Sequence, residues 1–429
     1  MAATADLSTK TAPGASPSAG RSRSPATPRG GHLPATAVVG LLAGNLVAEV
    51  VRGVWNVASA GGVSDWIPLV AAARMVARGS QCLYCAGPLA SAESSLLGGP
   101  VPVGLLGTMS SPGGSYLPFL NPPPAALVLV PLAVLPLAIG FALFSGLSVA
   151  AIVASYRVLT RRIGCPPWPT LVALLCVPGV FSFALGQWAG VLTLCLVVAL
   201  WLLDRHPLVA GLALACLLIK PQYIWLVPLA LVVMRRWRAL AGLALGALVV
   251  AALSLFLVGP GGVADWVGLS LTAGTAQLSN SPSVPGLVGM VLGPGAGYAA
   301  LALAVPLLAV GAVAWRRRLR ADPRLTVATF VCLSLLLSPH VLGQDFLLVA
   351  PAVALAGRTR PRLAGAVALL LSASFAGILV FGSIQVDVAF ASVVVATLTA
   401  ALAGPPGGSA VAGILGPVRG GARPEQAAT

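Results

Sequence analysis

Apolar residues run along this chain in blocks of about 20, the length that crosses a bilayer as a helix. Two kinds of interruption separate them: short arginine-rich turns alternate with polar turns that carry little charge. The first block, Ala35–Trp55, predicts an uncleaved membrane helix, because the polar stretch ahead of it is too long for the basic end of a signal peptide. The longest polar stretch, Asn56 to Asn121, follows. Within it, "SDWIPLVAAARMVAR" (64–78) places Trp66, Leu69, Ala73 and Val76 on one helical face and Arg74 and Arg78 opposite. This predicts an amphipathic helix along the outer membrane surface, with Ser64 as its cap and Pro68 in its first turn. Residues 122–157 must cross an odd number of times, yet Pro131 and Pro136 suggest two short helices there. Further helix pairs turn at Gly186-Gln187, at Lys220-Pro221-Gln222 and at "SPHVLGQD" (338–345). A second outer loop is expected over Gly259–Gly297, and a last helix pair over 363–402. The total comes to about 11–13 membrane helices.

Composition turns this pattern into a fold class. The chain has 429 residues, of which 58% are hydrophobic and 8% charged, whereas soluble domains carry about a quarter charged residues. Lipid tolerates no unpaired backbone amides, so the blocks must be helices, and the expected class is an all-α polytopic integral membrane protein. The net charge of +15 does not indicate a nucleic-acid partner. The arginines gather in short runs between apolar blocks, at 157–162, 235–238, 316–320 and 358–362. That distribution orients these turns towards the cytoplasm and both long loops outward. Residues 1–34 and 404–429 read as disordered cytoplasmic tails around a membrane domain of 35–403. Cys82 and Cys85, in "CLYC", have no second pair nearby to complete a zinc site. A local disulfide and two free thiols both remain open.

With ten acidic residues in the chain, each can be weighed. Glu49 and Arg52 stand one turn apart and should pair. Asp65 opens the amphipathic helix, either as a carboxylate favoured by the helix dipole or as a catalytic group at the mouth of an outer cavity. Asp345 sits near an outer boundary. Lys220 is the only lysine beyond the first ten residues. It either snorkels to the headgroups or joins Gln187, Gln222 and His340 in gripping an anion such as a lipid phosphate. His340 reads equally as a hydrogen-bonded boundary histidine.

Five stretches, in order, carry a family resemblance: 64–84, "FLNPPPAALVLVPLAVLP" (119–136), "GQWAGVLTLCLVVALWLL" (186–203), "LLIKPQYIWLVPLALVVMRRWRAL" (217–240) and "LLLSPHVLGQDFLLVAPAVAL" (335–355). Together they resemble glycosyltransferase family 87, integral-membrane transferases of the GT-C superfamily. The group includes mannosyltransferases that use polyprenyl-phosphomannose and related arabinofuranosyltransferases. The resemblance implies an inverting transfer from a polyprenyl-phosphate sugar to a lipid or glycan acceptor of the envelope. Mannose is the first expectation and arabinofuranose the alternative. It further implies Asp65 as general base, and Lys220, His340, Gln187, Gln222, Asn121, Arg74 and Asp345 on the donor phosphate or substrate. Arg74 could instead meet lipid headgroups. The chain departs from the family pattern with Leu69 and Val70, where an aromatic is usual, and with Gln344, where a tyrosine often stands. No D-x-D motif occurs, which fits a donor without a nucleotide diphosphate and a reaction without metal or cofactor. The implied setting is the plasma membrane, with the site on the outer side. A lipid or sugar transporter is the competing class; it would hold polar residues near the midplane of related halves and keep Asp65, Lys220 and His340 apart.

Overall fold

The computed structural model describes residues 33–59, 64–101, 109–111, 114–176, 182–278, 281–362 and 364–369. The described residues from 39 onward make one compact unit; before them only 33–38, the start of the first helix, are described. The expected tails at 1–32 and 404–429, and nearly all of the helix pair expected over 363–402, lie outside the described residues. The architecture is all-α. Helix α1 (Leu33–Ala58) begins two residues earlier than expected, and on it Arg52 Nε donates to Glu49 at 3.0 Å. Helices α2 (Trp66–Ala77) and α3 (Ala86–Leu97) follow, then a hairpin of β1 (Met109–Ser111) and β2 (Gly114–Tyr116). This antiparallel pair is the one sheet among the described residues.

Helix α2 forms where the apolar spacing predicts a helix, but it does not lie open on a surface. Trp66 to Ala73 and Met75 are all buried, enclosed chiefly by α3 and by α4 (Pro123–Ala133). Ala71, on the side that an amphipathic helix would expose to water, is fully buried, its small side chain leaving room for the neighbouring helices there. Arg74 does not reach for headgroups. Its Nε and Nη2 donate to Ala133 O at 2.8 Å and Leu135 O at 3.3 Å, satisfying carbonyls left open where α4 ends.

The odd-crossing problem over 122–157 resolves in length. Helix α4 has 11 residues, about 16 Å at 1.5 Å per residue, too short for hydrocarbon of about 30 Å. Helix α5 (Leu137–Arg157) continues through a π turn to Ile163 and is long enough alone. Three helices among the described residues are long and apolar enough to cross a membrane: α5 with its extension, Trp237–Ala276 and Pro294–Ala314. Seven shorter apolar helices of 10–17 residues accompany them.

Between these lie α6 (Pro167–Leu174), α7 (Ala189–Leu202), α8 (Pro207–Ala215), α9 (Val227–Val233) and α10 (Trp237–Ala276). Helix α10 corrects the loop expected from Gly259. A break does fall there, with Gly259 at φ 69° and ψ 178° and Pro260 next, but the chain resumes as helix to Ala276. Pro260 is well placed to start a helical turn, since it lacks only an N–H that the break leaves unpaired. The rest of the expected loop is largely α11 (Val284–Leu292) and the start of α12 (Pro294–Ala314). A six-residue turn, α13 (Arg316–Ala321), then α14 (Pro323–Leu336) and α15 (Ala350–Ala356) follow.

Helices α8 and α10 meet in a close backbone contact. A Cβ on Gly211 would lie 2.0 Å from Ala239 O, one on Gly242 2.1 Å from Leu208 O, and one on Gly246 2.2 Å from Ala215 Cβ. Small residues bring two backbones together in this way where lipid offers no hydrophobic drive for packing. The contact fixes the end of α8, and Lys220 stands five residues beyond that end.

Candidate active site

Asp65 is the residue from which α2 departs, and its neighbour Ser64 ties that departure to a distant turn. The Ser64 hydroxyl accepts from Trp66 N–H at 3.1 Å and donates to Leu185 O at 2.9 Å. Residues 182–188 are thereby drawn to the start of α2. Gln187 Nε2 donates to Asp65 Oδ2, and Gln344 Nε2 approaches the same oxygen at 3.4 Å. The residue after Asp65, Trp66, stacks on Phe144 with centroids 5.1 Å apart and meets Phe141 edge-on at 6.1 Å. Trp188 in turn packs edge-on against Phe144 at 5.3 Å. The aromatic cluster packs the residue that follows the half-buried Asp65. Burial raises the Asp65 pKa above the usual carboxylate range; donation from Gln187 and the Lys220 cation work against the rise, and the Asp345 carboxylate adds to it.

Gly186 is required at its position. Its φ is +69°, and a Cβ would stand 3.0 Å from both Phe141 Cε2 and Trp66 Cβ. Gly186→Ala is therefore expected to cost about 1–3 kcal/mol of stability. It should also pull Gln187 away from Asp65, lowering both the thermal midpoint in detergent and the catalytic rate of the folded fraction. Wild-type values for both would show that the turn tolerates a side chain.

Lys220 stands where the chain loses helical order. After α8 come two single 3-10 turns, Cys216–Ile219 and Pro221–Tyr223, with Lys220 between them at φ −131° and ψ 87°. Its side chain does not snorkel. It is buried, and Nζ sits 2.9 Å from Asp345 Oδ1. Asp345 opens the 3-10 segment Gly343–Val349 and is 1% exposed. Tyr223 OH donates to the same Oδ1, and Leu342 N–H to Oδ2 at 3.0 Å. Lys220 Nζ also lies 5.5 Å from the centroid of the Tyr223 ring. Gln344, the residue before Asp345, reaches Asp65, so a single segment touches both charged centres.

His340 lies in the same turn. Its backbone is held by the Ser338 hydroxyl, while Nδ1 is buried with no hydrogen-bond partner among the described residues. Burial lowers its pKa, with the Asp345 carboxylate opposing and the Lys220 cation reinforcing that fall. Asp65, Gln187, Lys220, His340, Gln344 and Asp345 thus form one electrostatically connected group. Asn121 stands beside it, its Nδ2 donating to Ile219 O at 3.1 Å. Gln222 is half-buried in the Pro221–Tyr223 turn. Arg74 is engaged on the carbonyls at the end of α4 and does not join the group.

Tyr223 is a member that the sequence reading missed. Its signal was present in "KPQY": proline after lysine favours a tight turn, and the turn here is closed by Tyr223 N–H donating to Lys220 O at 3.0 Å, which keeps the two residues together. The group holds two carboxylates and one ammonium in partly water-free surroundings. It can accept a proton at Asp65 and, at Lys220, can meet an anion through a cation whose existing counter-ion is Asp345.

The model of glycosyltransferase family 87 matches residues 119–339. The match includes Asn121, Gln187, Lys220 and Tyr223, while Asp65, His340, Gln344 and Asp345 lie outside it. Among solved structures, the chain is similar to apo ArnT from Cupriavidus metallidurans, at 17% identity and a TM-score of 0.36, over 86% of this chain and 77% of that one. No curated protein matches.

Proposed function

The chain belongs to glycosyltransferase family 87, and on that premise we propose that this membrane glycosyltransferase draws its sugar from a polyprenyl-phosphate donor, with Asp65 as general base. The acceptor is a lipid or glycan hydroxyl of the cell envelope. Mannose is the sugar put first and arabinofuranose second. The observation that carries the reading is the meeting of Asp65 with the Lys220–Asp345 pair through the 344–345 segment. A proton acceptor and a cation for the leaving group stand in one site.

The acceptor hydroxyl gives its proton to Asp65 as its oxygen bonds to the anomeric carbon from the face opposite the phosphate. The bond from that carbon to the phosphate oxygen breaks, and polyprenyl phosphate leaves with the electron pair. The configuration therefore inverts. Charge growing on the departing phosphate is met by the Lys220 ammonium, with the His340 imidazole close by. The Cys82–Cys85 disulfide is of a kind that persists in oxidising compartments. It supports placing the site on the extracytoplasmic side of the plasma membrane, with the arginine-rich turns and both tails in the cytoplasm.

The test supplies purified protein with envelope lipids and radiolabelled polyprenyl-phosphate mannose, polyprenyl-phosphate arabinofuranose or the corresponding nucleotide sugars. Label should pass to the acceptor from a polyprenyl-linked donor and appear as the opposite anomer. Transfer from a nucleotide sugar alone, or retention of configuration, would overturn the reading.

A further inference from the structure

No regular helix fixes the main chain at Lys220, since it falls between two single 3-10 turns. Two local turn bonds hold its own amide groups, Lys220 N–H to Leu217 O at 2.9 Å and Tyr223 N–H to Lys220 O at 3.0 Å, and a further hold comes from elsewhere in the chain. Asn121 Nδ2 grips Ile219 O, the carbonyl immediately before Lys220, at 3.1 Å. Asn121 is itself secured on both sides. Its own carbonyl accepts the Tyr84 hydroxyl at 2.8 Å, and the preceding carbonyl, Leu120 O, accepts Trp266 Nε1 from α10 at 3.0 Å. The Tyr84 ring stacks on Phe119 with centroids 5.8 Å apart and planes at 26°.

Tyr84 lies in a loop rather than a helix, yet it is buried, and so is Leu83 beside it. The loop is closed on both flanks by the Cys82–Cys85 disulfide, whose Cα atoms are 5.3 Å apart. Cys85 N–H also donates to Cys82 O at 3.3 Å. Burial pushes the Tyr84 phenol up, so it stays protonated as the donor to Asn121.

We propose that Tyr84 is a positioning residue for Lys220, acting through Asn121 and Ile219, and that the Cys82–Cys85 disulfide holds Tyr84 in place to do so. The inference rests on reading Lys220 as the cation that meets the donor's phosphate. Loss of the hydroxyl frees the Asn121 carbonyl and loosens the amide that grips Ile219. Thiol–disulfide exchange with an added dithiol, which turns the disulfide into two thiols as the dithiol is oxidised, acts one step earlier by releasing the loop around Tyr84. One neutral hydrogen bond of this kind changes an equilibrium about three- to ten-fold.

The test uses the full chain in lipid nanodiscs and compares four states. These are oxidised wild type, wild type reduced with dithiothreitol, Tyr84→Phe, and Cys82→Ser/Cys85→Ser. Hydrogen exchange over residues 217–224 reads the placement of Lys220 without any donor. Binding of a polyprenyl-phosphate sugar, a phosphodiester of fixed charge, reads its use. In the three altered states exchange over 217–224 should quicken about three-fold or more while 189–202 keeps its protection, and donor binding should weaken by a similar factor. Adding Tyr84→Phe to Lys220→Met should weaken binding no further. Unchanged exchange over 217–224 overturns the proposal, as does faster exchange with donor affinity intact. Exchange that quickens equally in 189–202 also overturns it, since Tyr84 would then serve folding at large. Should wild type bind no polyprenyl-phosphate sugar at all, the donor reading fails, and the exchange data still decide whether Tyr84 places Lys220. Reduction of folded wild type, reversed by reoxidation, gives this answer even if a variant fails to fold.

Discussion

Asp65→Asn should lower sugar transfer by about 10²- to 10⁴-fold, the range of a lost general base, and leave the fold intact. Both donors that reach the carboxylate, Gln187 Nε2 and Gln344 Nε2, meet Oδ2. An asparagine can present its single carbonyl oxygen at that position and keep those contacts. What it loses is Oδ1, the oxygen that on the proposed mechanism takes the acceptor's proton. The same geometry sets the pH dependence. Only the ionised carboxylate is a base, and burial raises its pKa. The rate should therefore fall on acidification at a higher pH than an ordinary aspartate would give. Gln187→Leu removes a donor that favours the ionised form, so it should move this acid limb higher still. A profile of transfer rate against pH for wild type and the two variants checks all of this. Asp65→Asn at wild-type speed would remove Asp65 from the chemistry, and an acid limb left in place by Gln187→Leu would show that Asp65 does not set it.

The helical pattern was legible because lipid leaves the backbone one solution, and apolar block length reports it directly. The breaks at Gly186, Lys220 and 338–345 were legible too, since glycine, proline and isolated polar residues stand out against such blocks. What lies against each break was not. Apolar periodicity predicts a buried face for α2 but cannot tell a membrane surface from a cover of other helices. Two arginines near its end favoured the surface, although Arg74 spends its guanidinium on carbonyls of the α4–α5 junction. Lys220 announced itself as costly, yet its partner, Asp345, lies 125 residues away, beyond any spacing argument. Asn121 was expected on the ligand, and its bond to the main chain beside Lys220 was not foreseen. Long-range polar pairing is written in three dimensions, and only the short-range part of it, as in Lys220 and Tyr223, leaves a trace in one.

The Lys220–Asp345 pair should show its purpose by how its two halves fail. Asp345→Leu removes the acceptor for three groups at once, Lys220 Nζ, Tyr223 OH and Leu342 N–H. It strands an ammonium whose side chain is only 10% exposed. Breaking a buried pair from one side costs about 3–5 kcal/mol, whereas replacing both members with apolar groups is often neutral or better. Asp345→Leu alone is thus expected to lower the thermal midpoint sharply, and Lys220→Met with Asp345→Leu to recover most of that loss. On the proposed function the recovered protein should still fail to bind a polyprenyl-phosphate sugar, because the cation assigned to the phosphate is gone. A double variant as unstable as the single one would mean that the pair earns its place through stability. One that is stable and binds donor would move the phosphate elsewhere in the site. The expected combination, stability restored and binding lost, follows from the pair's burial: an ion pair that contributes little to folding persists in so dry a place when one of its charges is held for a substrate.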